Sequence, residues 1–184
     1  MDTVMSEPLR ILVALDFSSC CWEVAKEAAD RAQELGAWTT LLHVEVLPNG
    51  VPDSARVRIE GQRTTAARYL HRGAEERLRG YEKVFRDQKL PVKVELRRGS
   101  DIAATVVEAA RDHRSNVIFM GTHRRKGLAK LMNGSVAERV QRSAPCEVVA
   151  IPTRHLPECE AKSCEWCDSH ITPEQRRLDA EAEG

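Results

Sequence analysis

The sequence predicts an α/β fold: a single doubly wound, five-stranded parallel sheet with helices on both faces. Two observations carry this. Short, unbroken apolar runs recur along the chain, each bounded by turn-forming residues, and strands buried on both faces read in that way. Stretches of helical period lie between them, so strand and helix alternate, which calls for parallel strands joined by right-handed crossovers. The chain has 184 residues, a length that suits one domain with a tail. No repeat of about 20–50 residues suggests a solenoid.

The elements follow in order. Arg10–Leu15 is the first apolar run, and Asp16-Phe17-Ser18-Ser19 supplies turn and cap residues after it. Val24, Ala25, Ala28, Ala29, Ala32 and Leu35 then recur on a helical period, and Gly36 is placed to end that helix. Trp38–Val46 reads as the second strand. From about Val57 to Gln88 the sequence is charged and helical in character, interrupted by Gly61, Gly73 and Gly80. Pro91–Arg98 alternates as a third strand, Gly99-Ser100-Asp101 is a turn with a cap, and Ile102–Asp112 is an apolar-striped helix. Asn116–Met120 is a short buried strand, Gly121–Asn133 a basic loop, Ser135–Arg142 a helix, and Glu147–Ile151 the last strand.

Lys and Arg number 28 and Asp and Glu number 28, for a formal net charge of zero. That balance argues against a protein whose main work is holding bulk nucleic acid, while leaving room for a local basic patch. No apolar run approaches the ~20 residues that span a bilayer, and Met1–Arg10 holds no apolar core of a secretory signal. A cytoplasmic protein is expected, with its six Cys as reduced thiols or metal ligands.

Ligands of open parallel sheets bind beyond the carboxyl ends of the strands, where the strand order reverses. Asp16, Val44, Gly99 and Gly121 mark that edge. The segment from Met120 to Ser135 leaves a strand through Gly121, crosses a loop with Arg124, Arg125, Lys126 and Lys130, and enters a helix through Gly134-Ser135. Glycine lets a backbone approach a bulky anion, and the free N–H groups of a helix start favour phosphate. Ser135-Val136-Ala137-Glu138 also fits a capping box, which stabilises a helix without any ligand. Spacing alone does not choose between the two.

This loop resembles the nucleotide-binding segment of the universal stress protein family, whose ATP-binding members carry G-x2-G-x9-G-[S/T]. Gly121 takes the first glycine and Gly134-Ser135 the last pair. The opening Ile11-Leu-Val-Ala-Leu-Asp-Phe-Ser18, the second-strand Leu41-Leu-His-Val44 and the run Gly134–Cys146 resemble family signatures as well. The resemblance makes residues 9–152 the family domain, with 1–8 and 153–184 as tails. It implies the adenine nucleotide alpha hydrolase-like sheet order 3-2-1-4-5 and a homodimer paired through the last strand. It also implies ATP or AMP as ligand. Asp16 would then contact the adenosine part, with Ala14 and Leu15 lining the pocket. Val44 would offer backbone hydrogen bonds to the adenine, and Met120 and Gly121 would flank ribose and phosphates. Gly134, Ser135 and Val136 would hold the phosphates. The second glycine of the pattern is Arg124 here. An Arg forced to positive φ costs roughly 1–2 kcal/mol; as a bidentate clamp, its guanidinium would instead replace backbone contacts to phosphate.

No constellation for covalent chemistry is readable. Ser135 and Asp16 are candidate Mg²⁺ contacts, but phosphoryl transfer needs more than two such groups. Asp101 reads as a helix cap, His123 as a loop residue, and His43 as a strand residue that packs or hydrogen-bonds. A binder that signals by changing shape or partner is expected, with at most weak ATP hydrolysis. The alternative is a dimeric interaction module that binds no nucleotide. Cys159, Cys164, Cys167 and His170 lie within twelve residues of the tail and form a Cys3His set suited to zinc. The competing readings are reduced thiols without metal, or a redox sensor. Cys20-Cys21 falls at a helix start, where a thiolate can be stabilised, but the pair is expected to sit as buried or half-buried small residues, and Cys146 is expected to pack.

Overall fold

The computed structural model describes residues 7–17, 21–47, 50–59, 61–123 and 136–153. The elements are β1 (Arg10–Ala14), α1 (Cys21–Leu35), β2 (Trp38–Glu45), β3 (Arg56–Ile59), β4 (Gln62–Thr65), α2 (Ala66–Asp87), β5 (Val92–Arg98), α3 (Ile102–Asp112), β6 (Val117–His123), α4 (Val136–Ser143) and β7 (Glu147–Thr153). Five strands form one sheet in the order β5-β2-β1-β6-β7. Every neighbouring pair in it is parallel. Counting only these strands along the chain, the order is 3-2-1-4-5, as the family resemblance implies.

The unbroken apolar runs follow from burial on both faces. Ile11, Val13, Leu41 and Phe119 point to a layer made by α1 and α2. Their alternates Leu12, Leu42, Ile118 and Met120 point to the opposite layer, made by α3 and α4. Ala25, Ala28, Ala29 and Ala32 are completely buried, and their small side chains let α1 lie close against the sheet. Gly36 ends α1 at φ +60, a conformation that only glycine adopts without cost.

Three local expectations are corrected. Residues 57–65 do not belong to the long helix: β3 and β4 form an antiparallel hairpin, with Arg58 opposite Arg63 and Ile59 opposite Gln62. Its first strand alternates exposed Arg56 and Arg58 with half-buried Val57 and Ile59, and Gly61 at φ +80 closes the turn. Period two and positive φ outweigh the charged, helical composition. Secondly, α2 begins only at Ala66, where the Thr65 hydroxyl caps it by accepting from Arg68 N–H at 3.2 Å. It runs unbroken through Gly73 and Gly80, because the packing of Leu78, Tyr81 and Phe85 offsets the ~1 kcal/mol cost of each glycine. Thirdly, β6 continues through His123, paired residue for residue with β7 as far as Thr153. The loop therefore starts three residues later than the turn signal at Gly121 implies.

Candidate functional site

β1 connects to β2 on one side and lies beside β6 on the other, so the strand order reverses between β1 and β6. At the carboxyl ends of these strands lies a cavity of about 410 Å³. Ala14, Leu15 and Asp16 from the end of β1 and Leu42, His43 and Val44 from β2 form one side of it. Met120, Gly121 and Thr122 of β6 form the other, and Ile102 and Val106 of α3 with Val136 and Ala137 of α4 close it from the helical layer. Its walls are largely aliphatic, with polar side chains contributed by Asp16, His43 and Thr122.

Of the residues predicted for the site, Ala14, Leu15, Asp16, Val44, Met120, Gly121 and Val136 meet at this one cavity. Arg124, Gly134 and Ser135 lie outside the described residues, as do Cys20 and the tail residues Cys159, Cys164, Cys167 and His170. Gly99 sits at the same end of the sheet, but not in the cavity wall. Asp101 caps α3, accepting from Ala104 N–H at 3.1 Å, and pairs with Arg139 of α4. Cys146 is half-buried, and burial, aided by the Glu147 carboxylate, pushes its thiol up from the usual range. Among the described residues no three His, Cys, Asp or Glu side chains gather as a metal site.

Asp16 is exposed to the cavity mouth, two residues beyond the end of β1. The thiol of buried Cys21, at the start of α1, donates to its Oδ1 at 3.0 Å. The next residue, Phe17, stands at φ 61. A non-glycine residue pays about 1–2 kcal/mol for that conformation, and the surroundings explain why it persists. The Phe17 ring stacks on the His43 imidazole with centroids 3.9 Å apart. The guanidinium of Arg77 lies 5.2 Å from its centroid. Beyond it, Tyr81 continues the stack to Trp22.

His43 is held in the same cluster. Its Nδ1 lies 2.7 Å from the Leu15 carbonyl oxygen. A carbonyl only accepts, so the proton is on Nδ1. Burial lowers the pKa of this imidazole, and Arg77 adds to that; the Leu15 bond and the Glu45 and Asp16 carboxylates pull the other way without restoring it. His43 therefore stays neutral near pH 7. Glu45, at the end of β2, is buried and accepts from His71 Nδ1 at 3.1 Å, tying α2 to the sheet beside the site.

Sequence reasoning did not place Leu42, His43, Ile102, Val106, Thr122 or Ala137 at the site. Ile102 and Val106 were visible as an i, i+4 apolar stripe, which marks a buried face but not whether the far side of that face is core or cavity.

The match to known proteins covers the same span. A model of the universal stress protein family matches residues 9–152. The chain belongs to this family. A universal stress protein of Methanocaldococcus jannaschii is 30% identical over 144 residues, covering 77% of this chain and 81% of that protein. The solved universal stress protein from Archaeoglobus fulgidus superposes with a TM-score of 0.57 at 26% identity, over 78% of this chain and 93% of that one. A universal stress protein from the same organism, solved in complex with dAMP, gives a TM-score of 0.54 at 24% identity, over 78% and 97% of the two chains. The superpositions show that the chain shares the fold of these relatives.

Proposed function

We propose that the chain binds an adenine nucleotide in the cavity at the switch point and acts as a nucleotide-sensitive regulatory protein of the cytoplasm, not through covalent chemistry. One observation carries the reading: an aliphatic slot, a carboxylate and the first turn of α4 converge on one cavity of about 410 Å³. That volume falls within the range of small-molecule sites. The aliphatic walls suit a purine face, and Val44 offers backbone groups to its edge. Asp16 is placed to accept from ribose hydroxyls or to reach a phosphate-bound Mg²⁺. A helix start favours phosphate, and α4 begins at Val136 in the cavity wall; Arg124, Gly134 and Ser135 would add to that end. The family relative solved with dAMP supports adenine as the base.

The reading extends to a homodimer. β7 is an outer strand of the sheet, carries Val148, Val149 and Ile151, and an open apolar edge invites pairing.

The test is thermal unfolding with and without millimolar Mg-ATP, with Mg²⁺ alone as control. A ligand at 100 times its Kd adds about 2.7 kcal/mol, which raises Tm by roughly 5–10 °C at this size. An unchanged Tm at millimolar ATP and AMP overturns the reading.

A further inference from the structure

We infer that His43 is a positioning residue: its side chain ends the pairing of β1 with β2 one hydrogen bond early and so leaves the backbone edge of Val44 to the cavity. The consequence for affinity rests on the nucleotide reading above; the geometry does not.

Four backbone bonds at the ends of β2 define the ladder. Trp38 N–H donates to Leu9 O at 2.7 Å, and Leu15 N–H donates to Leu42 O at 2.9 Å. On the other side of β2, Thr39 N–H donates to Pro91 O at 3.0 Å, and Glu45 O accepts from Gly99 N–H at 3.2 Å. Even-numbered residues of β2 therefore aim their backbone groups at β1, and odd-numbered ones at β5. The next bond in the first series would run from Val44 N–H to Leu15 O. Among the described residues that bond is not made. The Leu15 carbonyl accepts instead from His43 Nδ1 at 2.7 Å.

The same imidazole holds the chain where it leaves the sheet. Phe17 at φ 61 turns the backbone away from β2, and its ring lies on the His43 ring at 3.9 Å. One side chain thus occupies the carbonyl before Asp16 and packs on the residue after it. Val44 keeps a donor and an acceptor aimed at the space β1 has left, in a residue only 8% exposed. Backbone groups buried without partners are costly. A ligand edge that offers an acceptor beside a donor, as the ring nitrogen and amino group of adenine do, satisfies both. An aliphatic residue at position 43 would pack against Phe17 but donate nothing, and Leu15 O would then be open to Val44 N–H.

Amide hydrogen exchange at Val44 reads the ladder directly, and Mg-ATP titration reads its consequence. Three proteins are compared: wild type, His43→Leu, and His43→Asn, whose side-chain nitrogen hangs at the same branch point as Nδ1 and keeps the donor. In His43→Leu the ladder closes, so Val44 exchange slows on the order of 10-fold and Kd rises on the order of 10-fold. His43→Asn stays near wild type in both, a rescue that loss of packing alone does not produce. If His43→Leu does not fold, His43→Gln replaces it; its nitrogen lies one bond too far out, and the same slowing is expected. Unchanged Val44 exchange on losing the donor overturns the inference whatever the affinity does, and so does an Asn variant that behaves like Leu. If wild type binds no Mg-ATP, the nucleotide reading fails, and the exchange comparison alone decides the role of His43.

Discussion

Truncating Val106 separates the cavity from the core it is built on. Val106, on α3, is 1% exposed and forms part of the cavity wall. Val106→Ala removes two methyl groups, each worth about 0.8 kcal/mol of burial, or about 1.6 kcal/mol together. Because the lost volume adjoins a space already open to solvent, no sealed void is added, and stability falls by about 1–2 kcal/mol. Tm drops by roughly 2–8 °C. If a purine lies against α3, the truncation leaves a gap beneath it and forfeits dispersion contacts of that wall; because the methyls are already buried in the free protein, the loss is a fraction of the burial term, about 1 kcal/mol, or about 5-fold in Kd. Val24 is the control. It is completely buried on α1, in the opposite layer. Val24→Ala leaves a sealed void, which adds to the transfer loss, so it costs more, about 2–3 kcal/mol. It should nevertheless leave Kd within about twofold. Chemical denaturation gives the stabilities, and titration of folded protein with Mg-ATP gives the affinities. Equal Kd for wild type and Val106→Ala, with the stability loss as expected, refutes placement of the base against α3. A large Kd change in Val24→Ala refutes the premise that the two layers act independently.

Two further predictions follow from the packing. Burial depresses the pKa of His43 below its unfolded value, so the unfolded chain binds the proton more readily and the folded state loses stability as pH falls. The contribution is complete above about pH 6.5, the ordinary value, and is lost on descending through the lower folded pKa. Denaturation midpoints from pH 7.5 to 5 should therefore fall more steeply in wild type than in His43→Asn, and parallel curves would contradict this. Separately, a Cβ at Gly99 would meet the Thr105 hydroxyl oxygen at 2.2 Å. That hydroxyl donates to Asp101 O at 2.8 Å within the first turn of α3. Gly99→Ala should destabilise by about 1–3 kcal/mol, and the double variant with Thr105→Ala should recover part of the loss, as measured by denaturation.

Much of the fold is written locally. The apolar runs of β1, β2 and β6, the alanine face of α1, and the Asp101 cap each announce themselves by period or by residue type, because burial on two faces and free helix ends make demands that few residues meet. The hairpin 56–65 was legible only in retrospect. Arg-Val-Arg-Ile alternates over just four residues, and the surrounding charge reads equally well as helix. The glycines of α2 misled in the opposite direction, since packing against the sheet outweighs propensity and no local rule contains that packing. At the site, the chain order places Asp16, Val44, Met120 and Gly121 at strand ends, and the switch-point rule then brings them to one edge. Whether Ile102 and Val106 face core or cavity, and that His43 reaches across 28 residues to the Leu15 carbonyl, depend on distances between elements. Those are set by how α3 and α4 seat on the sheet and by where β1 turns away. By itself, the sequence determined which residues lie at the carboxyl edge, because strand period and chain direction are local properties. Only the tertiary structure decided that a hydrogen-bond ladder stops there one bond short, because a ladder belongs to two strands at once.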